Sequence, residues 1–281
     1  MKLVFNDELY RNYAKLIYQK TGIVLNDNKQ TMLSQRLRRR IKELRLHSFE
    51  EYWEYLKSAE GETSEMEYFL DAITTNETYF QRGDRHYKVL INHILPKLSS
   101  AGINNLTIWS CGTATGEEAY DLAMIAWDYM EKNPSVQIEI KATDLSGTAL
   151  EFARYGEYAD RKISKLTNYQ REKFFSPVVQ KSIRHPFARD LLQVKVFLKE
   201  IITFSKHNLV IEPYFSNVHI LFCRNVMIYF DTQTRDRVVE NFAHSLHPDG
   251  YLLVGHAESL HLLDTELKHI RYDNTTIYQR N

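Results

Sequence analysis

Two short runs in this sequence hold groups that could do chemistry together. LTIWSCGTATGEEAY, residues 106–120, reads as a strand, a turn containing Gly112 and Gly116, and a helix. Glycine in such a turn lets the backbone approach a ligand closely. The Gly-x-x-x-Gly spacing is not the G-x-G-x-x-G of dinucleotide folds, and with no Lys-Ser/Thr following it is not a P-loop. Glu117 and Glu118 open the helix. Acid at a helix N-terminus suits the dipole and repels a phosphate. A ligand with no phosphate and a cationic part fits, and S-adenosylmethionine, with its ammonium, sulfonium and ribose, is such a molecule. The second run, ATDLSGTAL at residues 142–150, puts Asp144 at the end of a strand. Rossmann-like folds place an acid there on ribose hydroxyls. Asp144 could equally start the turn before a helix capped by Ser146, and spacing leaves both readings open.

Positioning these runs takes strands that alternate with helices. The pattern predicts a helix from His86 to Leu98, broken at Ala101-Gly102, then a strand from Leu106 to Ser110. A helix follows from Glu117 to Met130 and ends at Asn133-Pro134. A strand from Gln137 to Ala142 leads to the helix between Ser146 and Gly156. Short helices and a small β insert are expected within residues 157–200. Strands are expected at Ile201–Phe204, Val218–Cys223 and Tyr251–Gly255, the last after a turn at Pro248-Asp249-Gly250, with a helix over Thr234–Leu246. Such alternation implies a mostly parallel sheet covered on both faces. Before residue 90 only helical periodicity is visible. Leu33, Leu37, Ile41 and Leu44 recur at helical spacing, Ser48 looks like the cap of a helix through Trp53 and Leu56, and another helix is expected from Ser64 to Ile73.

Bulk properties narrow the class. A length of 281 residues suggests two domains, and 43% apolar residues are enough for a sizeable core. Formal net charge is zero, so no overall basic drive toward nucleic acid or membrane exists. The charged N-terminal stretch reads as neither signal peptide nor anchor, and no apolar run approaches the roughly 20 residues of a spanning helix. Cys111 and Cys223 sit in strand-like runs without metal-ligand spacing and are read as reduced core thiols of a cytoplasmic protein. His244 and His247 lie one helical turn apart without a third ligand, so no metal site is expected.

Six segments in order resemble the CheR family of methyltransferases. They are TTNETYFQR at 74–82, IWSCGTATGEEAYDLAM at 108–124, ATDLSGTAL at 142–150, TFSKHNL at 203–209, LFCRNVMIYFD at 221–231 and GYLLVGHAESL at 250–260. The resemblance runs from near residue 5 to the end. It implies a small all-helical, receptor-facing domain over residues 1–88. A class I methyltransferase domain, an α/β Rossmann-like fold with a mostly parallel sheet, would cover 89–281. It implies transfer of a methyl group from S-adenosylmethionine to glutamate carboxylates of chemoreceptors, giving the glutamate 5-O-methyl ester and S-adenosylhomocysteine. Carried across residue by residue, it puts Asn76, Thr78 and Arg82 at the cofactor, with Glu117 (Glu118 being the alternative) and Asp144 on the sheet side. Asn208, Leu209, Arg224 and Asn225 would hold the adenine and methionine ends, and Arg82 and Tyr229 would lie near the transferred methyl. The family's usual WSAACSTGEEPYS differs here at Gly112, Ala114, Ala119 and Asp121, the second aromatic of the usual YFFR is Gln81, and His219 replaces a common acid. A methyltransferase for another substrate and a non-catalytic S-adenosylmethionine-binding signalling module are the alternatives.

Residues 29–45 carry seven basic side chains against one acid, whereas 48–71 carry eight acids against one base. In RLRRRIKELR, Leu37, Ile41 and Leu44 point inward and the cations occupy the flanks and far face. A solvated face, a nucleic-acid site and, by the resemblance, a surface for the acidic methylation helices of a receptor all fit such a run. Neutral overall charge disfavours nucleic acid. By the resemblance, the expected partners are chemoreceptor methylation helices, met through Arg36, Arg39 and Arg40, by a monomer that does not insert into the membrane, with a solvated face as the alternative for this run.

Overall fold

The computed structural model describes residues 4–178, 190–258, 260, 266–272 and 274–281. Its N-terminal part contains five helices: α1 (Asp7–Thr21), α2 (Gln30–Glu43), α3 (Phe49–Lys57), α4 (Ala59–Ser64) and α5 (Met66–Ile73). Local chemistry sets the ends. Asn6 Oδ1 accepts from the Leu9 amide at 2.8 Å to start α1, and Gly22, at φ 71°, stops it. Ser48 caps α3 through the Glu51 amide. Tyr13 and Ile17 of α1, Leu33, Leu37 and Ile41 of α2, Phe49, Tyr52 and Leu56 of α3 and Phe69 of α5 form one buried cluster. The buried Tyr13 hydroxyl donates to the Phe49 carbonyl at 2.8 Å, so its burial leaves no orphaned polar group. The helix expected over 64–73 is α5, starting at Met66; the short helix α4 before it was not expected, and the two meet at Glu65. Glu65 is buried beneath Arg40 and the Tyr52 hydroxyl, a tertiary demand that local pattern does not announce.

The chain then runs through α6 (Asp84–Val89), a π-helical stretch (Leu90–Ile94) and α7 (Leu95–Ser100). These occupy the place of the one helix expected there, which is underwound to π geometry in its middle. Next come β1 (Asn105–Cys111), α8 (Glu117–Lys132), β2 (Gln137–Asp144), α9 (Gly147–Tyr155), β3 (Glu157–Ala159), α10 (Asn168–Phe174), β4 (Phe175–Pro177) and β5 (Leu191–Val194). After them follow α11 (Val196–Glu200), β6 (Ile202–Lys206), β7 (Val218–Cys223), α12 (Thr232–Ser245), β8 (Leu246–Val254), β9 (Leu267–Tyr272) and β10 (Thr275–Arg280). Seven strands form one sheet in the order β6-β2-β1-β7-β8-β10-β9. Strands β6 through β8 in that order pair in parallel, and β10 is antiparallel to both its neighbours. Ile108, Ile220 and Phe222 face a core with Tyr120, Ala123 and Met124 of α8, while Trp109, Leu221 and Cys223 face α12 through Val238 and Phe242. Both cysteines are buried, free and opposite each other in register.

Strand order reverses between β1 and β7, which opens a crevice at their carboxyl ends. Strands β3, β5 and β4 form a separate three-stranded antiparallel sheet inside the region expected to hold a β insert. The turn expected at Pro248-Asp249-Gly250 is instead absorbed into β8, which starts at Leu246 and shifts register against β7 between Val218 and Ile220. No helix of the described residues is long and apolar enough to cross a membrane.

Candidate active site

A cavity of about 420 Å³ occupies the crevice at the strand reversal. Three parts of the chain wall it. The helical part gives Ile23, Val24, Met32 and Arg36; the connecting segment gives Asn76, Thr78 and Arg82; the sheet side gives Gly112, Glu118, Asp144, Arg224 and Tyr229. The two halves are joined by backbone at this wall. The Val24 amide donates to the Tyr229 carbonyl at 2.9 Å, and Ile23 bridges to Phe230. Asn208 Nδ2 donates to the Lys20 carbonyl at 2.7 Å.

The turn after β1 has a left-handed backbone at Gly112, Ala114 and Gly116, with φ of 67°, 51° and 95°. A side chain at Gly116 would meet Ala153 Cβ at 2.8 Å, so glycine is required there on both counts. Asp144 fastens this turn. Its Oδ2 accepts from the Ala114 amide and its Oδ1 from the Ser146 amide, each at 2.8 Å. Burial pushes the Asp144 carboxyl up from its ordinary value, against those two amides. Each oxygen retains a lone pair for a hydroxyl in the cavity. Asp144 thus sits at the cavity wall and holds a turn at once.

The first turn of α8 holds the connecting segment at three points. Glu117 is fully buried away from the cavity; it accepts from Thr115 Oγ1 at 2.6 Å and from Lys162 Nζ at 3.4 Å, and Lys162 also donates to the Thr78 carbonyl at 3.0 Å. Glu118 faces the cavity; Ser110 Oγ donates to its Oε1 at 2.8 Å and Arg224 Nη1 to its Oε2 at 3.0 Å. Arg224 also donates to the Arg82 carbonyl. Asp121, one turn on, accepts from the Gln81 amide at 2.6 Å. Burial pushes both glutamates up, Arg224 and Ser110 opposing it at Glu118. Burial works against charge on Arg224, but Glu118 and Tyr87 more than offset it and raise the guanidinium. The cavity therefore presents acid at one end, apolar walls, and three arginines, Arg36, Arg82 and Arg224.

Asn76, Thr78, Arg82, Asp144, Asn208, Leu209, Arg224, Asn225 and Tyr229 all line this cavity. Glu117 does not; its neighbour Glu118 does. Asn225 adopts φ 61°, held by Glu258, whose Oε2 accepts from the Asn225 amide at 2.6 Å and the Gly255 amide at 2.8 Å. Glu258 Oε1 accepts from the Ile228 amide, so this buried acid shapes the loop that carries Tyr229. Sequence reasoning gave Glu258 no role, although an acid shortly after the apolar strand YLLV was the available signal. Arg82 Nη1 donates to the Glu77 carbonyl at 3.0 Å, and its guanidinium lies over the exposed Tyr79 ring.

The three arginines of α2 expected to meet a partner, Arg36, Arg39 and Arg40, separate. Arg36 turns inward, donating to the carbonyls of Ile73 and Thr74, and lines the cavity. Burial lowers its guanidinium, with Tyr229 opposing. Arg40 pairs with buried Glu65 at 2.7 Å and lies over Tyr68. Arg39, its side chain 85% exposed, touches only Glu43. Among the described residues no group of His, Cys, Asp and Glu could hold a metal ion.

The all-alpha domain model of the CheR methyltransferases matches residues 8–74, and the family's SAM binding domain model matches residues 76–276. The chain is 35% identical to a chemotaxis protein methyltransferase of Borreliella burgdorferi, over 99% of this chain and 95% of that one. It is 33% identical to the chemotaxis protein methyltransferase of Escherichia coli, over 94% and 88%, and 34% identical to that of Salmonella typhimurium, over 92% and 86%. With its helical bundle, its sheet order and this cavity, the chain belongs to the CheR methyltransferase family.

Proposed function

We propose that this protein is an S-adenosylmethionine-dependent methyltransferase of chemoreceptors that esterifies glutamate side chains, acting as a cytoplasmic monomer. The observation that carries the reading is the single cavity built jointly by the helical part, the connecting segment and the strand-reversal crevice. Its donor set suits this cofactor and not a nucleotide phosphate. Glu118 offers a largely covered carboxylate to a cationic group, Asp144 offers acceptors to ribose hydroxyls, and no lysine-bearing phosphate loop is present. The volume lies within the roughly 300–1,000 Å³ of ordinary ligand sites.

When bound, S-adenosylmethionine supplies an electrophilic methyl on a sulfonium. Arg224, Asn225 and Glu118 would hold its amino-acid end, and Asn208 and Leu209 its base. The acceptor is a substrate glutamate, whose ordinary pKa of roughly 4.3 leaves it ionised at neutral pH. No general base is required. Arg82 presents a planar donor fork that fixes a carboxylate's orientation, and Tyr229 offers a hydroxyl donor and an aromatic wall that excludes water. Neutralisation of carboxylate by sulfonium is favoured where water is excluded. The helical unit, residues 1–88, faces the receptor, with Arg39 the freely exposed cation of the three named on α2.

The test is incubation of the full chain with methyl-labelled cofactor and a cytoplasmic chemoreceptor fragment. Label on the fragment should leave as methanol in mild base. Label that survives base, or resides on nucleic acid, would refute the ester reading.

A further inference from the structure

Asp121 is buried, lies outside the cavity lining, and has no part in the reading above. A carboxyl sealed in a core costs free energy unless its donors give something in return. Its donors here are specific. Oδ2 accepts from the Gln81 amide at 2.6 Å and from the Tyr87 hydroxyl at 3.2 Å, and Oδ1 accepts from Gln81 Nε2 at 2.8 Å. Two of the three donors thus belong to one residue. Gln81 has φ 59°, a conformation that L side chains adopt only when something holds them there. The next residue is Arg82, whose carbonyl receives Arg224 and whose guanidinium lines the cavity.

We propose that Asp121 is a positioning residue for Arg82: it locks the left-handed turn at Gln81 and so fixes where the Arg82 carbonyl and guanidinium sit. A change of backbone dihedral at Gln81 would swing both groups together, because they belong to the following residue. The side-chain amide of Gln81 can present either its N–H or its oxygen, so an asparagine at 121 can complete the same pair of bonds whereas an alanine cannot.

The role rests on the methyl-transfer reading of the cavity, and the experiment separates the two. Hydrogen exchange of the peptide spanning residues 79–83 is measured on the full chain without cofactor, for parent, Asp121→Ala and Asp121→Asn. Exchange should quicken by roughly tenfold or more in Asp121→Ala and stay near the parent in Asp121→Asn. Single-turnover transfer to a chemoreceptor fragment at saturating cofactor should slow by roughly tenfold in Asp121→Ala, with S-adenosylhomocysteine affinity little changed. In an Arg82→Ala background the same substitution should cost clearly less than tenfold, since its effect on the guanidinium is then already lost. Parent-like exchange in Asp121→Ala, or losses at Asp121 and Arg82 that multiply, overturns the role. If Asp121→Ala does not fold, Gln81→Ala removes the side-chain bond alone; parent-like exchange and rate there also overturn it. A parent chain that binds no S-adenosylhomocysteine by calorimetry defeats the cavity reading itself, an outcome unlike either of these.

Discussion

Helices α2 and α8 are both conspicuous in sequence for a cluster of charge, and the fold uses the two clusters differently. In α8 Glu117 and Asp121 are buried, Glu118 is largely covered at the cavity, and all three tie the helix to residues 78–82, directly or through Lys162 and Arg224. In α2 the cations divide. Arg36 and Arg40 turn toward the chain's own carbonyls and Glu65, while Arg39 stays in solvent. A run of like charge states that a helix carries charge; rotation about the helix axis decides which members build structure and which meet a partner.

The sharpest way to break that comparison is to remove an α8 acid. Glu118→Ala leaves Arg224 buried without its counter-charge and should cost about 3–5 kcal/mol of stability. Urea denaturation checks it, and a loss as small as that of a surface residue would mean that the α8 cluster behaves like the outer face of α2. Within α2, Arg40→Ala should cost about 1.5–3 kcal/mol by stranding Glu65, against no more than about 0.5 for Arg39→Ala. Equal losses would erase the distinction between inward and outward arginines. At the cavity, Tyr229→Phe should slow single-turnover methyl transfer by at most about 10²-fold with cofactor affinity little changed. Transfer at the parent rate would make Tyr229 a wall residue only.

A pH scan sharpens the same contrast. Burial pushes the Asp121 carboxyl from its ordinary 3.8 up to about 8, with Gln81 and Tyr87 opposing and Glu118 adding to the rise. The folded state then holds a proton that the unfolded chain has released, so this group's contribution is full below about pH 4 and is lost as pH rises toward 8. Asp121→Asn should flatten that decline in the urea midpoint, and an unchanged slope would assign it to another group. The smallest effect belongs to solvent: Arg39→Glu should slow receptor methylation a few-fold at low ionic strength and leave little difference at physiological salt, where the Debye length is about 8 Å. Methylation at the parent rate in low salt would return the outer face of α2 to simple solvation.

Elements that announce themselves locally were legible in the sequence. Ser48, Ser146, Gly156 and Gly102 mark helix or turn ends by their own chemistry, and the alternation of strands and helices implied the parallel sheet. The break at Glu65 was not legible, because it depends on Arg40 arriving from another helix. The choice between Glu117 and Glu118 failed for a related reason. Adjacent residues point about 100° apart on a helix, and α8 is buried around most of its circumference, so no solvent face fixes its rotation. The residues lining the cavity come from six separated segments, and the resemblance named nine of them where spacing alone suggested only Gly112, the acids of α8 and Asp144.

The backbone bond between Val24 and Tyr229 has a consequence for anyone who would redesign this enzyme. The cavity borrows part of its wall from the first thirty or so residues of the chain, through Ile23, Val24 and Met32. The helical bundle is therefore not an interchangeable adaptor bolted to a self-sufficient catalyst. A chimera that takes its bundle from one parent and its sheet from another inherits a mismatched seam along the cavity, and only grafts that carry the Ile23–Leu25 strip and residues 74–83 together with the sheet keep that seam intact.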